Sequence, residues 1–369
     1  MDNKTNKTTE TAWKKKLIDT FVRFQGVPLS QKLFFTKNLQ VMIKAGIPLS
    51  TALNILARQT PNEKFKRIIF AVHKKVEKGD SLAKSLSEYP KIFSEVFVNM
   101  ISAGEKSGSL ENILGQLTLQ MKKTHELLAR IKSALAYPAF VILAMVGMGV
   151  LMLIFVIPKI IDIFAEINAT LPLPTRILIF VSNFIVKNGV WVILGAVVLL
   201  VFTIKFLRSK RGQKYFHKAL LATPILSPII KKINLAKFSR TFSSLLATDI
   251  PIVQTLQITG RVLGNTSYQE YVIHVAEEIK SGESVAKVLS QKPALFPPVV
   301  TQMVEVGEKT GSLDNILKDL AEFYEEDVNQ TMSGLSSIIE PVLILVLGVA
   351  VAGMAVAVIM PMYSLSQQI

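Results

Sequence analysis

Cysteine is absent from the 369 residues. That excludes disulfides, thiolate metal sites and a cysteine nucleophile. Histidine is scarce: His73, His125, His217 and His274 fall at no zinc-binding spacing and are expected at the surface. Strand signals are missing, with few alternating runs and no hairpin dipeptide flanked by them. The first 30 residues hold no continuous apolar run of the secretory kind. Lys14, Lys15 and Lys16 are followed only by the short, interrupted stretch Leu17 to Val27, so insertion is expected to use the first transmembrane helix.

Half of the residues are hydrophobic and 19% are charged, with a mean hydropathy of +0.41. Such a chain divides into apolar spans and polar bodies. Pro138 to Ile157 is 20 residues without a charge, and Pro341 to Met360 is a second such stretch. At about 1.5 Å per residue each covers a hydrocarbon core of about 30 Å. Gly189 to Ile204 is a third span, with Lys205 able to snorkel at its end. Ile177 to Val186, just upstream, reads as an interfacial helix. The net charge is +15. Few aromatics and no reader motif argue against nucleic acid as the reason. Membrane orientation explains it better. Residues 1–135 hold 23 Lys/Arg and residues 205–337 hold 16, whereas the 159–188 loop holds three and the tail after Met360 none. Both polar bodies are therefore expected in the cytoplasm.

An internal repeat is the strongest signal. A shift of 203 residues aligns the two halves without a gap, and 20 of the 39 positions in 79–117 are identical to those in 282–320. The same shift pairs Phe35 with Phe238, Ile47-Pro48 with Ile250-Pro251, Pro138 with Pro341, and Pro158 with Pro361. The repeat unit is thus a polar module plus the span that follows it. Within copy one the residues read as six helices. They span Leu33 to Lys44, a second opening at Pro48, Asn62 to Lys78, a short one capped by Ser81, Ser94 to Lys106, and one from Ser109 to about Lys132. Gly46 has Asp249 as its counterpart, so that turn is expected to differ between copies. The expected fold is all-α: two homologous six-helix bundles and three transmembrane helices. The segments are a polar N-terminal stretch 1–32, module one 33–135, spans 136–158, 189–207 and 338–360, an extracytoplasmic loop 159–188, a linker with module two 208–337, and an extracytoplasmic tail 361–369.

The motif Gly-Glu-Lys-Ser/Thr-Gly-Ser-Leu occurs at 104–110 and 307–313. It is no phosphate loop, because Lys106 precedes Ser107-Gly108 and follows a helix rather than a strand. Gly108 and Gly311 suit a sharp turn, and Ser109 and Ser312 suit caps for the next helix, with Glu111 and Asp314 in its first turn. Such capping does not require Glu105 and Glu308, or Lys106 and Lys309. With Gly104 and Gly307 they form a turn motif that is also a candidate partner contact. Glu105 and Glu111 could share a hard cation, but nothing supplies the remaining ligands, and no cofactor or metal is expected. Glu340 precedes Pro341 at the start of the last span, where its counterpart is Tyr137, so the headgroup boundary suits both. Pro138 and Pro341 each remove a hydrogen bond at membrane entry, and a kink is expected there.

Together these features carry a resemblance. The two G-E-K-S/T-G-S-L motifs, the G-D/E-S-L/V-A-K segments at Gly79 and Gly282, Ala45 to Leu49, Leu171 to Arg176, Glu340-Pro341 and Pro361 resemble the inner-membrane platform proteins of type II secretion and type IV pilus assembly. The match covers residues 33–369. Only about 32 polar residues precede it, where family members often carry a longer region. The resemblance implies a non-enzymatic homo-oligomer in the inner-membrane lipid. It would engage a hexameric ATPase supplied in trans, prepilin or pseudopilin subunits, and other inner-membrane assembly proteins. A transporter or channel subunit is the competing reading, but its substrate site would need polar or broken helices at the midplane, and the two full spans carry no charge there.

Overall fold

The computed structural model describes residues 26–159, 173–224, 226–248 and 250–366. No strand occurs among them. Copy one comprises α1 (Leu29–Lys44), α2 (Leu49–Gln59), α3 (Glu63–Glu77), α4 (Leu82–Ser87), α5 (Glu95–Ser107) and the start of α6 (Leu110–Leu151). A π-helical turn over Met152–Val156 follows. Helices α7 (Leu173–Lys187), α8 (Gly189–Arg208) and α9 (Lys210–Ala222) lie between the copies in sequence. Copy two comprises α10 (Leu226–Leu246), α11 (Ile252–Val262), α12 (Thr266–Lys280), α13 (Val285–Ser290), α14 (Pro298–Thr310) and the start of α15 (Leu313–Ser366). The bounds of α2 to α5 recur in α11 to α14 at the 203-residue shift without a single residue of slip. Asp249 lies outside the described residues, as do 1–25, Leu171 and Pro172.

Local chemistry sets these bounds. Asn62 accepts from the Phe65 N–H at 2.9 Å and opens α3, and Ser94 accepts from the Phe97 N–H at 3.3 Å and opens α5. In copy two, Pro298 takes the first position of α14 instead. Core-facing residues then recur at helical spacing. On α3 they are Phe65, Ile68, Ile69, Val72 and His73. His73 therefore corrects the surface expectation: it occupies the last position of an apolar stripe and is buried. His125 and His274 are exposed, and His217 is half-buried. Phe35, Phe65 and Phe93 meet with ring centroids 5.6–6.1 Å apart. Phe238, Tyr268 and Phe296 repeat the cluster, with the Tyr268 hydroxyl donating to the Leu295 carbonyl at 2.7 Å. Each such ring pair contributes about 0.5–1.5 kcal/mol beyond its buried area.

The chain forms two compact units. One holds residues up to 127 together with 230–326, so both helical copies belong to it. The other holds 128–229 and 327–369. In this second unit the apolar side chains point outward. Leu143, Trp191, Phe202 and Leu345 are all exposed, and α8 buries nothing. Such a surface is stable only against lipid. Among the described residues, three helices are long and apolar enough to cross a membrane. Helix α7, at 15 residues and so about 22 Å, is too short to do so. It packs on the π-helical turn, where Ser182 donates to the Leu153 carbonyl at 2.5 Å. That bond supplies a partner to a carbonyl in the irregular turn, as lipid burial demands.

Pro138 and Pro341 both sit inside continuous helices. A proline forfeits one intrahelical bond, but its fixed φ is itself helical, so flanking turns can carry the helix through. Pro138 is buried, whereas Glu340 and Pro341 are exposed.

Candidate functional site

The two Gly-Glu-Lys turns are built alike. Helix α5 closes at Gly108 with φ 68°, and α14 closes at Gly311 with φ 69°. These left-handed conformations favour glycine and reverse the chain into α6 and α15. The preceding glycines serve packing. A Cβ on Gly104 would lie 2.8 Å from Ile113 Cγ1 and 3.2 Å from the Leu110 Cα. One on Gly307 would lie 3.0 Å from the Leu313 Cα. Gly104→Val and Gly307→Val are each expected to lower unfolding free energy by about 1–3 kcal/mol through overpacking. A thermal melt indistinguishable from the parent's would show that the two helices can part freely.

Glu105 and Glu308 have a structural task outside the turn that contains them. They cap a different helix from the one that follows. Glu105 reaches back 23 residues, its Oε1 accepting from the Leu82 N–H at 2.5 Å and its Oε2 from the Ala83 N–H at 2.9 Å. Glu308 accepts from Val285 and Ala286 at 2.6 and 2.9 Å. Ser81 and Ser284 then take the next amides, those of Lys84 and Lys287, at 3.2 and 3.1 Å. The free N–H groups at the start of α4 and α13 are thus satisfied by a carboxylate and a hydroxyl, and the negative charge meets the positive helix end. The two repeated motifs clasp each other. Ser109 and Ser312 instead lie 2.6 Å from the hydroxyls of Ser107 and Thr310.

Glu105 and Glu111 are not brought together. Both Glu105 oxygens are taken by α4, and Glu111 stands 3.7 Å from Lys44. Among the described residues, no group of three or more His, Asp or Glu side chains could hold a metal ion. The motif lysines remain at the surface. Lys106 is exposed, and Lys309 pairs with Glu305 at 2.6 Å while most of it stays exposed.

Both matched segments contain one complete clasp. A family model described as type II secretion system (T2SS), protein F matches residues 35–158 and again residues 238–361. The chain belongs to that family. It is 35% identical over 357 residues to the type IV pilus assembly protein PilC of Myxococcus xanthus, covering 96% of this chain and 85% of that protein. It is 35% identical over 341 residues to PilC of Thermus thermophilus, covering 92% and 84%. It is 29% identical over 370 residues to the type II secretion system protein F of Aeromonas hydrophila, covering 99% and 93%. With three membrane-length apolar helices, this protein F family member is a multi-pass inner-membrane protein.

Two features of this family member escaped the sequence reading. A cavity of about 290 Å³ lies between the copies, lined by Lys32, Phe93, Val96, Met121, Lys237 and Thr241 among others. Burial holds the Lys32 and Lys237 ammonium groups below the ordinary lysine value. Lys32 donates to the Ile92 carbonyl at 2.8 Å. The second is an ion-pair network. Arg240 grips Glu325 through two bonds of 2.8 and 2.9 Å, and Lys123 from copy one stands 3.7 Å from the same carboxylate. The available signal was a mismatch between copies, since Lys37 and Lys122 stand where copy two has Arg240 and Glu325.

Proposed function

We propose that this chain is the non-enzymatic inner-membrane platform of a type IV pilus or type II secretion machine. In this reading it couples a cytoplasmic assembly ATPase to incorporation of prepilin or pseudopilin subunits. The observation that carries it is helix continuity. Helix α6 runs from the Gly108 turn through Pro138 to Leu151, and α15 from the Gly311 turn through Pro341 to Ser366. Each copy thus runs through one helical segment into the span that follows it, and that covalent link is the route by which a displacement of the copies reaches the bilayer. The Lys/Arg asymmetry supports a cytoplasmic location for both copies and an extracytoplasmic one for the C-terminal tail. Lys106 and Lys309, exposed beside the clasped turns, are the motif residues assigned to partner contact. Glu105 and Glu308 hold those turns in shape.

The test uses the full chain in lipid nanodiscs with a hexameric assembly ATPase from the same organism. The ATPase is expected to bind and to turn over faster. Lys106→Glu combined with Lys309→Glu is expected to weaken that association roughly tenfold, as reversal of exposed interface charges does. An ATPase that neither binds nor responds to the parent chain overturns the coupling reading. Binding unchanged by the charge reversal removes only the assignment of the lysines.

A further inference from the structure

The two copies are alike in sequence, but they do not meet through equivalent faces. Arg261 on α11 grips Glu95 on α5 through bonds of 2.8 and 2.6 Å, and Gln254 on α11 reaches Asn99 on α5 at 3.4 Å. Leu245, Ile250 and Ile258 of copy two are buried in the core cluster of copy one. Val96 and Gln120 of copy one, and Lys237 and Thr241 of copy two, face the cavity between them. Copy one thus presents α5 and α6 together with Lys32 of α1, whereas copy two presents α10 and α11 together with Glu325 of α15, which stands 3.7 Å from Lys123. A contact of this heterologous kind joins two different surfaces, and it leaves the counterpart of each surface uncovered.

Those counterparts carry apolar residues. On copy two, Val299, Val306 and Phe323 stand where copy one has Val96, Ala103 and Gln120, and each is more than half exposed. Val96 itself is 5% exposed, because copy two covers it. On copy one, Phe34 and Val41 lie two turns apart on α1 and are also more than half exposed. Their counterparts are Lys237 and Ser244, both half-buried on the helix that copy two turns toward copy one. Ile55 is half-buried where its counterpart Ile258 is fully buried. These apolar positions are the repeat equivalents of residues on the two faces that meet inside the chain, and each is more exposed than its equivalent there.

We propose that a second copy of this chain covers both faces. The α14–α15 face of copy two in one protomer docks on the α1–α2 face of copy one in the next, repeating between chains the contact already made within each. Thr51 and Gln302 replace Gln254 and Asn99 and keep a polar pair there. Pro298 replaces Glu95, so Arg58 finds no carboxylate where Arg261 has one. Apolar contact therefore carries the intermolecular interface, which is weaker and more readily parted than the internal one. A head-to-tail contact between protomers anchored in one bilayer closes into a ring where its rotation axis lies along the bilayer normal. The assignment is independent of ATPase coupling.

The absence of cysteine makes the test direct, since any introduced thiol is unique. Asn99→Cys with Gln254→Cys in one chain sets the benchmark, reacting within the chain with a short bismaleimide and reporting that the copies are folded. Thr51→Cys and Gln302→Cys are then placed on two differently tagged chains in the same native membrane. The mixed-tag product is expected within about threefold of the benchmark yield, and Val306→Asp is expected to lower it about tenfold, as loss of a buried interface anchor does. Both cysteines on one chain should give a ladder ending in a closed species. Products joining position 51 to 51 or 302 to 302 in preference would show an isologous contact and overturn the proposal. So would the absence of any chain-to-chain product while the benchmark pair reacts, including the case where the same thiols react with a different protein.

Discussion

Arg240→Met is expected to destabilise the helical unit by about 3 kcal/mol, because it strands the Glu325 carboxylate in a nearly water-free site. Both side chains of this pair are almost wholly buried, at 8% and 13% exposure, and both guanidinium bonds are lost together. Lys123, 3.7 Å from the same carboxylate, keeps the loss toward the lower end for broken buried pairs. Adding Glu325→Leu should recover most of the stability, since a packed apolar pair replaces a buried ionic one at little net cost. Thermal unfolding of the detergent-solubilised chain reads both variants. A double variant as unstable as Arg240→Met would mean that packing, not the stranded charge, carries the effect.

Glu105→Ala and Glu308→Ala are expected to cost about 2 kcal/mol each, the scale for losing charge-assisted hydrogen bonds to helix-end amides. Each removes two bonds, of 2.5 and 2.9 Å in copy one and of 2.6 and 2.9 Å in copy two. The two caps share no partner, so the costs should add. Glutamine at either site retains one acceptor oxygen and should recover part of the loss. The same melting experiment distinguishes roles for the motif. If the glutamates served only as partner contacts, alanine would leave stability unchanged and impair assembly alone. If they clasp α4 and α13, stability and membrane abundance fall together, even with Lys106 and Lys309 intact.

Much of the fold was legible because the duplication is written in register. Identical turn residues at a constant shift dictate identical helix ends, and α2 to α5 recur in α11 to α14 without slip. Gly108 and Gly311 were legible as turns, since only a left-handed conformation reverses the chain so sharply. His73 was misjudged because its type was weighed above its place on the α3 stripe. The glutamate caps were not legible at all. Nothing in spacing shows that Glu105 would reach an amide 23 residues earlier, because that distance depends on how α5 lies against α4.

The sequence alone determined the helical class, the duplication, three membrane-length spans and their charge asymmetry. All of these follow from composition and from periodicity along one strand of chain. Tertiary structure decided which surfaces meet. The pairing of Arg240 with Glu325, the clasp between the two motifs, and the choice of α11 against α5 rather than α14 against α2 depend on contacts between residues far apart in sequence. Two copies with nearly the same helices can pack in several ways, and small differences such as Glu95 against Pro298 bias the outcome.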